Sequence, residues 1–335
     1  SYMDFSALLG CIPMSFPLFK SSNAIGIFCA VGASVCFSAT DVTIKFLSDA
    51  YALHQIVLLR SAIGIVAIVT ILMATSNGLK TLKTQRLTRH LVRGLSVVVA
   101  NMLFFLGLVA MPLADAVALF FISPSIITLF SILFLKEHVG PHRWFAIGLG
   151  FVGVVIMVQP GSNEFVLASL LPIGAAVCYA VLHTLTRTMR DTESASTMTF
   201  YIQVAFVIVS ALMWFVVGDG RFNDPSSPSL SFLLRPWGAW EYGDIKLFIL
   251  LGTGSTLGGY LISQAYRLAE SGLAAPFEYV ALPLAMIWGF VVFNEWPSHL
   301  TLVGSSFILT SGLYTLYRET RPTHTPLNAK ITHER

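Results

Sequence analysis

An apolar run containing proline, followed by a glutamate and a short polar turn, occurs twice in this chain. Residues 114–148 read ADAVALFFISPSIITLFSILFLKEHVGPHRWFAIG, and residues 272–304 read GLAAPFEYVALPLAMIWGFVVFNEWPSHLTLVG. Each apolar run has roughly twenty residues, which is the length that a helix needs to cross a bilayer. Two copies of such a hairpin indicate two halves that are built alike, an arrangement typical of membrane transporters.

A second pair of segments supports the same duplication. Residues 34–45 (SVCFSATDVTIK) align with residues 176–187 (AVCYAVLHTLTR), so that Cys36 matches Cys178 and Lys45 matches Arg187. The composition agrees, because 55% of the 335 residues are hydrophobic and 11% are charged, whereas a soluble domain carries about 25% charged residues. We therefore predict an all-α integral membrane protein.

Ten apolar spans can be marked along the chain, and they predict ten transmembrane helices arranged as two repeats of five. The first repeat occupies residues 23–160, and the second occupies residues 161–317 with a long outer loop at 218–244. Residues 1–22 and 318–335 are expected to be tails. The spans are 24–47, 54–74, 91–110, 114–135, 142–159, 166–187, 196–217, 245–266, 273–294 and 299–317.

The basic residues predict the orientation, because cytoplasmic segments are enriched in lysine and arginine. With both termini in the cytoplasm, fifteen of the twenty lysine and arginine residues, Arg93 among them, fall on the inner side and three on the outer side, while Lys45 and Arg60 lie inside spans. The predicted location is the inner (cytoplasmic) cell membrane. Since each half has an odd number of spans, the second half must insert upside down relative to the first.

Three motifs carry a resemblance to a known family: FSATDVTIKFL, FLKEHVGPHRWFAIGLGFVGVVIM and VVFNEWPSHLTLVGSSFIL. With the ten spans and the duplicated hairpin, they resemble the EamA family of the drug/metabolite transporter superfamily over about residues 24–317. Within it, residues 38–47 and 275–297 are most similar to bacterial S-adenosylmethionine uptake transporters. The resemblance implies that spans 1, 3, 4, 6, 8 and 9 line a cavity, while spans 5 and 10 pack behind it or mediate a homodimer.

The expected function is secondary transport of a small organic metabolite across the lipid bilayer by alternating access. An amino-acid-like or cationic substrate, such as S-adenosylmethionine or a quaternary amine, fits the resemblance. The alternatives are export of drugs or amino acids with broad specificity and, more remotely, a membrane receptor or scaffold without flux. The sequence contains no P-loop, zinc-protease or paired-aspartate protease motif, so we expect no enzyme activity, cofactor, metal site or nucleic-acid partner.

Ionisable side chains within a bilayer are costly and are therefore candidates for function. Asp41 and Lys45 are four residues apart on the first span and share a face. Arg60 is expected at a similar depth in the second span, so the three side chains are predicted to form a cluster in the outer third of the membrane. Such a cluster is either a structural ion pair that anchors the helix ends, or an outer gate or substrate contact.

Glu278 is predicted in the inner third of the ninth span, where small residues share its face. That stripe is either a helix-packing surface or the wall of a pocket. Without a partner, this carboxyl group can carry a proton or bind a cationic substrate. His183, near the inner end of the sixth span, is either a second proton-linked group or a structural residue.

The remaining candidates are aromatic residues, prolines and glutamates. Tyr179, Tyr260, Tyr266, Tyr279 and Trp288 can stack on a planar or cationic substrate or simply fill the core. Pro124, Pro276 and Pro283 are expected to free backbone carbonyls and let their helices flex. Glu137 and Glu295 occupy matching places in the two repeats, and each is expected to cap the helix that follows it.

Overall fold

The computed structural model describes residues 22–74, 78–135, 140–160, 167–239, 241–269 and 274–319. The regular elements within these ranges are helices. The α-helices are α1 (Ser22–Leu47), α2 (Leu53–Met73), α3 (Leu87–Ala110), α4 (Leu113–Phe120), α5 (Ser123–Leu135), α6 (Pro141–Val158), α7 (Leu170–Met189), α8 (Ala195–Val217), α9 (Pro228–Leu234), α10 (Ile245–Leu268), α11 (Ala281–Phe293) and α12 (His299–Glu319). A short 3-10 helix, Ala275–Val280, precedes α11.

In the described part of the chain, eight helical segments are long and apolar enough to cross a membrane. They are Ala24–Leu47, Leu53–Met73, Leu87–Ala110, Leu113–Phe134, Pro141–Val158, Leu167–Met189, Ala195–Val217 and Tyr242–Leu268, and Phe277–Phe293 is a shorter apolar helix. The long helix α12 is richer in hydroxyl side chains. Several of these bond to carbonyls of their own helix, as Thr310 does to Ser306 O at 2.7 Å. The fold is that of a multi-pass membrane protein.

Two predicted spans are each divided in the structure. The span predicted at 114–135 consists of α4 and α5, which are separated at Phe121 and Ile122, and the span predicted at 273–294 consists of the 3-10 helix and α11. Pro124 and Pro283 lie in the first turns of α5 and α11. A proline there removes no helical hydrogen bond, because the first N–H groups of a helix have no intrahelical partner. These prolines therefore begin new helices instead of bending continuous ones.

Helices from the two halves of the sequence interleave. α1 packs along α10, and α3 packs along α7, while α2 contacts α8 and α6 contacts α12. The contact between α6 and α12 is close enough to require glycine. A Cβ atom at Gly153 would lie 2.5 Å from Gly304 O, and a Cβ atom at Gly304 would lie 2.6 Å from Gly153 O. Glycine lets the two backbones approach to this distance.

The segment 218–239 covers the end of the bundle at which α1 ends and α2 begins. Arg235 Nη1 donates to Asp49 O at 2.7 Å, and Ser229 Oγ donates to Leu106 O at 2.7 Å. Near the same end Tyr51 donates to Asp244 at 2.8 Å. Burial, together with this hydrogen bond, raises the pKa of the Tyr51 phenol, which therefore stays a neutral donor. Because Phe232 of α9 is buried, this helix packs onto the bundle.

Candidate substrate cavity

A cavity with about 1080 Å³ of empty space, open solvent included, lies among α1, α2, α3, α4, α7, α8, α10 and the start of α11. Like small-molecule sites, it combines an apolar wall with a few polar groups. The aromatic wall consists of Phe37, Phe104, Phe105, Phe120, Phe121, Tyr179 and Phe206. Four charged side chains reach it: Asp41, Arg60, Arg93 and Glu278. The cavity contains as many carboxylates as guanidinium groups.

Arg60 of α2 is held between a polar partner and two rings. Its Nη2 donates to Asn101 Oδ1 at 2.9 Å, and its guanidinium carbon lies 4.8 Å from the centre of the Phe206 ring and 5.5 Å from that of Phe105. Only 4% of the residue is exposed. Asp41 lies close enough to interact electrostatically with this guanidinium. The structure thus brings together two members of the cluster predicted in the outer third.

Glu278 is bound by two phenols. Tyr179 OH donates to Glu278 Oε2 at 2.8 Å, and Tyr266 OH donates to Glu278 Oε1 through a short hydrogen bond. The carboxyl group lies on the 3-10 helix before α11 and is buried. The carboxyl group is therefore not unpaired, because α7 and α10 each supply a tyrosine. Hydrogen bonds to a charged acceptor are roughly twice as strong as those between neutral groups, so the two phenols fix the position of Glu278.

His183 lies behind the two tyrosines instead of in the cavity wall. Its ring centre is 4.1 Å from that of Tyr179 and 4.0 Å from that of Tyr266. The residue is buried, and neither ring nitrogen has a hydrogen-bond partner within the described ranges. The imidazole therefore contacts both tyrosines that bind Glu278, on the side away from the cavity.

Arg93 of α3 lines the cavity and connects three other helices. Nε donates to Thr186 Oγ1 at 2.8 Å, Nη1 donates to Met198 O at 2.9 Å, and Nη2 donates to Ser263 Oγ at 3.1 Å. Arg93 was expected among the cytoplasmic charges, and this is wrong, because α3 begins at Leu87 and carries Arg93 into the buried interior. Apolar residues follow Arg93 just as they would follow an arginine at the water-facing boundary of a span, so the sequence carries no signal that separates the two cases.

Lys45 does not join Asp41 and Arg60. Its Nζ lies 2.7 and 2.8 Å from the two carboxylate oxygens of Glu295 and 3.0 Å from Met111 O. Glu295 also accepts the backbone N–H of Leu113 at 2.9 Å. Lys45 is one turn nearer the helix end than Asp41, so its long side chain reaches this carboxylate. The predicted three-membered cluster is therefore wrong with respect to Lys45.

The expected capping role of Glu295 is also not what the structure shows. Ser298 Oγ accepts the backbone N–H of Thr301 at 3.1 Å and so caps α12, while Glu295 binds Lys45 and the start of α4. Thr301 Oγ1 in turn donates to Asp115 of α4 at 2.6 Å. Glu137, the matching residue of the first repeat, lies outside the described residues.

Several other candidates are absent from the cavity wall. Tyr279 is buried against Phe121, with ring centres 5.3 Å apart, and its hydroxyl has no partner in the described chain. Tyr260 and Trp288 are half-buried, and Trp288 packs against the apolar core. Pro276 begins the 3-10 helix that carries Glu278. The sequence analysis overlooked Arg93, Asn101 and Gln203 as members of the cavity wall.

Comparison with known proteins agrees with this architecture. Residues 24–159 match the EamA-like transporter family. The chain is 27% identical to a riboflavin transporter of Rhizobium johnstonii over 91% of this chain and 95% of that protein. It is 27% identical to an S-adenosylmethionine uptake transporter of Rickettsia bellii over 88% and 94% of the two chains. It is also 27% identical to a pseudopaline exporter of Pseudomonas aeruginosa over 85% and 94%.

A solved structure shares the fold. It superposes with a TM-score of 0.64 and covers 88% of this chain and 99% of its own, at 17% sequence identity. At that identity the likeness concerns the fold alone. Residues 24–159 thus match the EamA-like transporter family, and most of the chain is similar to proteins named as transporters.

Proposed function

We propose that this protein is a secondary transporter that moves a small organic molecule across the inner membrane by alternating access. The observation that carries the proposal is the central cavity, which combines an aromatic wall with two buried arginines and two carboxylates inside a helical membrane bundle. Ionisable groups at membrane depth mark substrate or ion pathways. Relatives that span nearly the same length are named as transporters, which supports the same conclusion.

The bundle is organised as ten spans in an inverted five-plus-five repeat with both termini in the cytoplasm. The helix packing supports this arrangement, because contacts recur when the halves are exchanged. The first span (α1) packs on the eighth (α10), and the sixth (α7) packs on the third (α3). The second and seventh spans (α2 and α8) contact each other, as do the fifth and tenth (α6 and α12). Such symmetry lets the two repeats exchange conformations, which is the basis of alternating access.

Glu278 is the residue at which substrate binding or proton coupling takes place. Its carboxylate is held by Tyr179 and Tyr266, and it lines the cavity. A cationic group of the substrate and a proton both neutralise this carboxylate, so they compete for it. The other ionisable groups around it are His183 behind the tyrosines, Tyr279 next in sequence, and Asp41, Arg60 and Arg93 in the cavity wall.

The test is the substitution Glu278→Gln, assayed by flux in proteoliposomes against S-adenosylmethionine, riboflavin, amino acids and quaternary amines. Glutamine keeps the volume and can still accept hydrogen bonds, so folding is expected to hold. We expect most of the flux to be lost and the remaining flux to depend less on pH. A matched control is Asp115→Asn, which changes another carboxylate within a span that bonds to Thr301 and does not line the cavity. Wild-type flux and pH dependence in Glu278→Gln would contradict the proposed role.

The same flux assay distinguishes the proposed transport from the two alternatives, which are export with broad specificity and a receptor or scaffold role. Export with broad specificity is supported by similarity to a protein named as an exporter, and it predicts faster flux from the cytoplasmic face for several unrelated molecules. A receptor or scaffold predicts binding without flux in either direction. Measuring flux in vesicles of both orientations therefore decides between import, export and binding alone.

A further inference from the structure

Arg93 is a buried cation whose charge no carboxylate of the described residues balances. It is 1% exposed, and within the described ranges no carboxylate oxygen lies within 4.0 Å of it. Removing an unpaired charge from water costs several kcal/mol even after relaxation, about as much as breaking a buried ion pair. A residue kept at that cost inside a membrane protein is expected to meet its counter-charge at some stage of function.

The contacts of Arg93 leave donors for such a partner. A guanidinium has five N–H groups, and the structure shows one hydrogen bond from each of its three nitrogens, to two hydroxyls and one carbonyl. All three acceptors are neutral. Two N–H groups remain, one on Nη1 and one on Nη2, and the residue lines the cavity.

Arg60, the other cavity arginine, provides an internal comparison. It interacts electrostatically with Asp41, donates to Asn101 and lies over the Phe206 ring. Its charge is therefore partly offset by Asp41. Arg93 has neither a carboxylate nor, among the described residues, an aromatic face, so the two arginines of the cavity are not equivalent.

We propose that Arg93 binds an anionic oxygen group of the transported molecule, so that the cavity selects substrates carrying a carboxylate or a phosphate. This deepens the proposed transport function and rests on it. Arginine suits the role because its planar fork matches both groups, often through two parallel hydrogen bonds. A substrate that carries a cationic group as well can place it at Glu278, so the inference favours molecules with separated charges over purely cationic ones.

Arg93 also ties α3 to α7, α8 and α10, so loss of flux in a variant would not distinguish recognition from packing. The informative readout is discrimination between matched probes. S-adenosylmethionine is compared with its decarboxylated form, tryptophan with tryptamine, and riboflavin 5′-phosphate with riboflavin. Binding is measured by thermal shift and flux in proteoliposomes, for the wild type, Arg93→Gln and Arg93→Lys.

For each probe pair that binds to the wild type, we expect the member with the anionic group to bind at least about tenfold more tightly than the member without it. Hydrogen-bonded charged groups contribute on that scale. Arg93→Gln should bind both members alike, and Arg93→Lys should keep part of the preference. The matched control is Arg267→Gln, which contacts Arg190 O and Gln264 away from the cavity wall and should leave the preference unchanged.

Three results bear on the inference differently. Equal wild-type affinity for both members of every pair that binds would overturn it and leave the transport function standing, as would a preference that survives in Arg93→Gln. The wild-type comparison needs no variant, so it decides the matter even where Arg93→Gln does not fold. Failure of every probe to bind or to be transported would overturn the proposed function, and this inference with it.

Discussion

The ion pair between Lys45 and Glu295 is expected to hold the α1 end of the bundle closed against the start of α4. It joins the last turn of α1 to the turn between α11 and α12, and the same carboxylate accepts the Leu113 N–H at the start of α4. We predict that Lys45→Met loosens this end of the bundle, because the carboxylate then keeps only the hydrogen bond from Leu113.

The size of the effect follows from the burial of the pair. The side chains are 11% and 30% exposed, so the pair lies between a surface pair, worth at most about 1 kcal/mol, and a buried pair, whose breakage costs about 3–5 kcal/mol. Lys45 makes two bonds to the carboxylate and one to Met111 O. We therefore expect a coupling free energy of about 2 kcal/mol, which corresponds to an equilibrium shift of roughly thirtyfold.

Hydrogen exchange measures this shift of the opening equilibrium directly, because the exchange rate of a protected amide follows its local opening equilibrium. In Lys45→Met the amides at the start of α4 should exchange roughly thirtyfold faster. A double-mutant cycle with Glu295→Gln isolates the pair itself. The control is Arg221→Met, since Arg221 and Asp219 lie 3.1 Å apart but are 59% and 57% exposed. Unchanged exchange at Leu113, or effects of the two substitutions that simply add, would refute the reasoning.

Three further predictions use the same structure. Gly312→Ala should destabilise the fold by about 1–3 kcal/mol, because its Cβ would overlap the buried Tyr279 ring. The control Gly148→Ala should be neutral or slightly stabilising, because no atom lies within 4 Å of the added Cβ. Thermal unfolding of both variants in one detergent checks this difference. Tyr266→Phe should reduce flux more than Tyr279→Phe, because Tyr266 donates to Glu278 and Tyr279 does not; equal flux in both variants would argue against a role for that hydrogen bond. A cysteine at Ser227 should be labelled from outside the cell and one at Lys83 only from the cytoplasm, and cytoplasmic labelling of Ser227 would contradict the inverted repeat.

Much of the fold could be predicted from the sequence because its main constraint is local. A helix that crosses a bilayer must be apolar over about twenty consecutive residues, and this can be counted along a chain. The α-helical membrane class and most of the span bounds follow from such counting, as with 196–217 against Ala195–Val217. The duplication of the hairpin was equally visible, because repeats are a property of sequence.

Counting apolar residues along the chain could not predict which partners the long polar side chains bind. Helical spacing correctly puts Asp41 and Lys45 on one face, yet Lys45 binds Glu295, 250 residues away. Arg93 was assigned to the cytoplasmic end of its span, since a positive charge near a span boundary has the same sequence signature whether it faces water or a cavity. The two phenols on Glu278 come from α7 and α10, and no local pattern predicts that three such segments meet.

The sequence by itself therefore determined that this is an α-helical membrane protein, and it gave the approximate bounds of most helices, because both depend on hydrophobicity summed over neighbouring residues. Only the tertiary structure decided which charges are paired and which face the cavity. Electrostatic and hydrogen-bond energies depend on distances of a few ångströms between residues far apart in the chain. Those distances exist only once α1, α3, α7 and α10 are packed together.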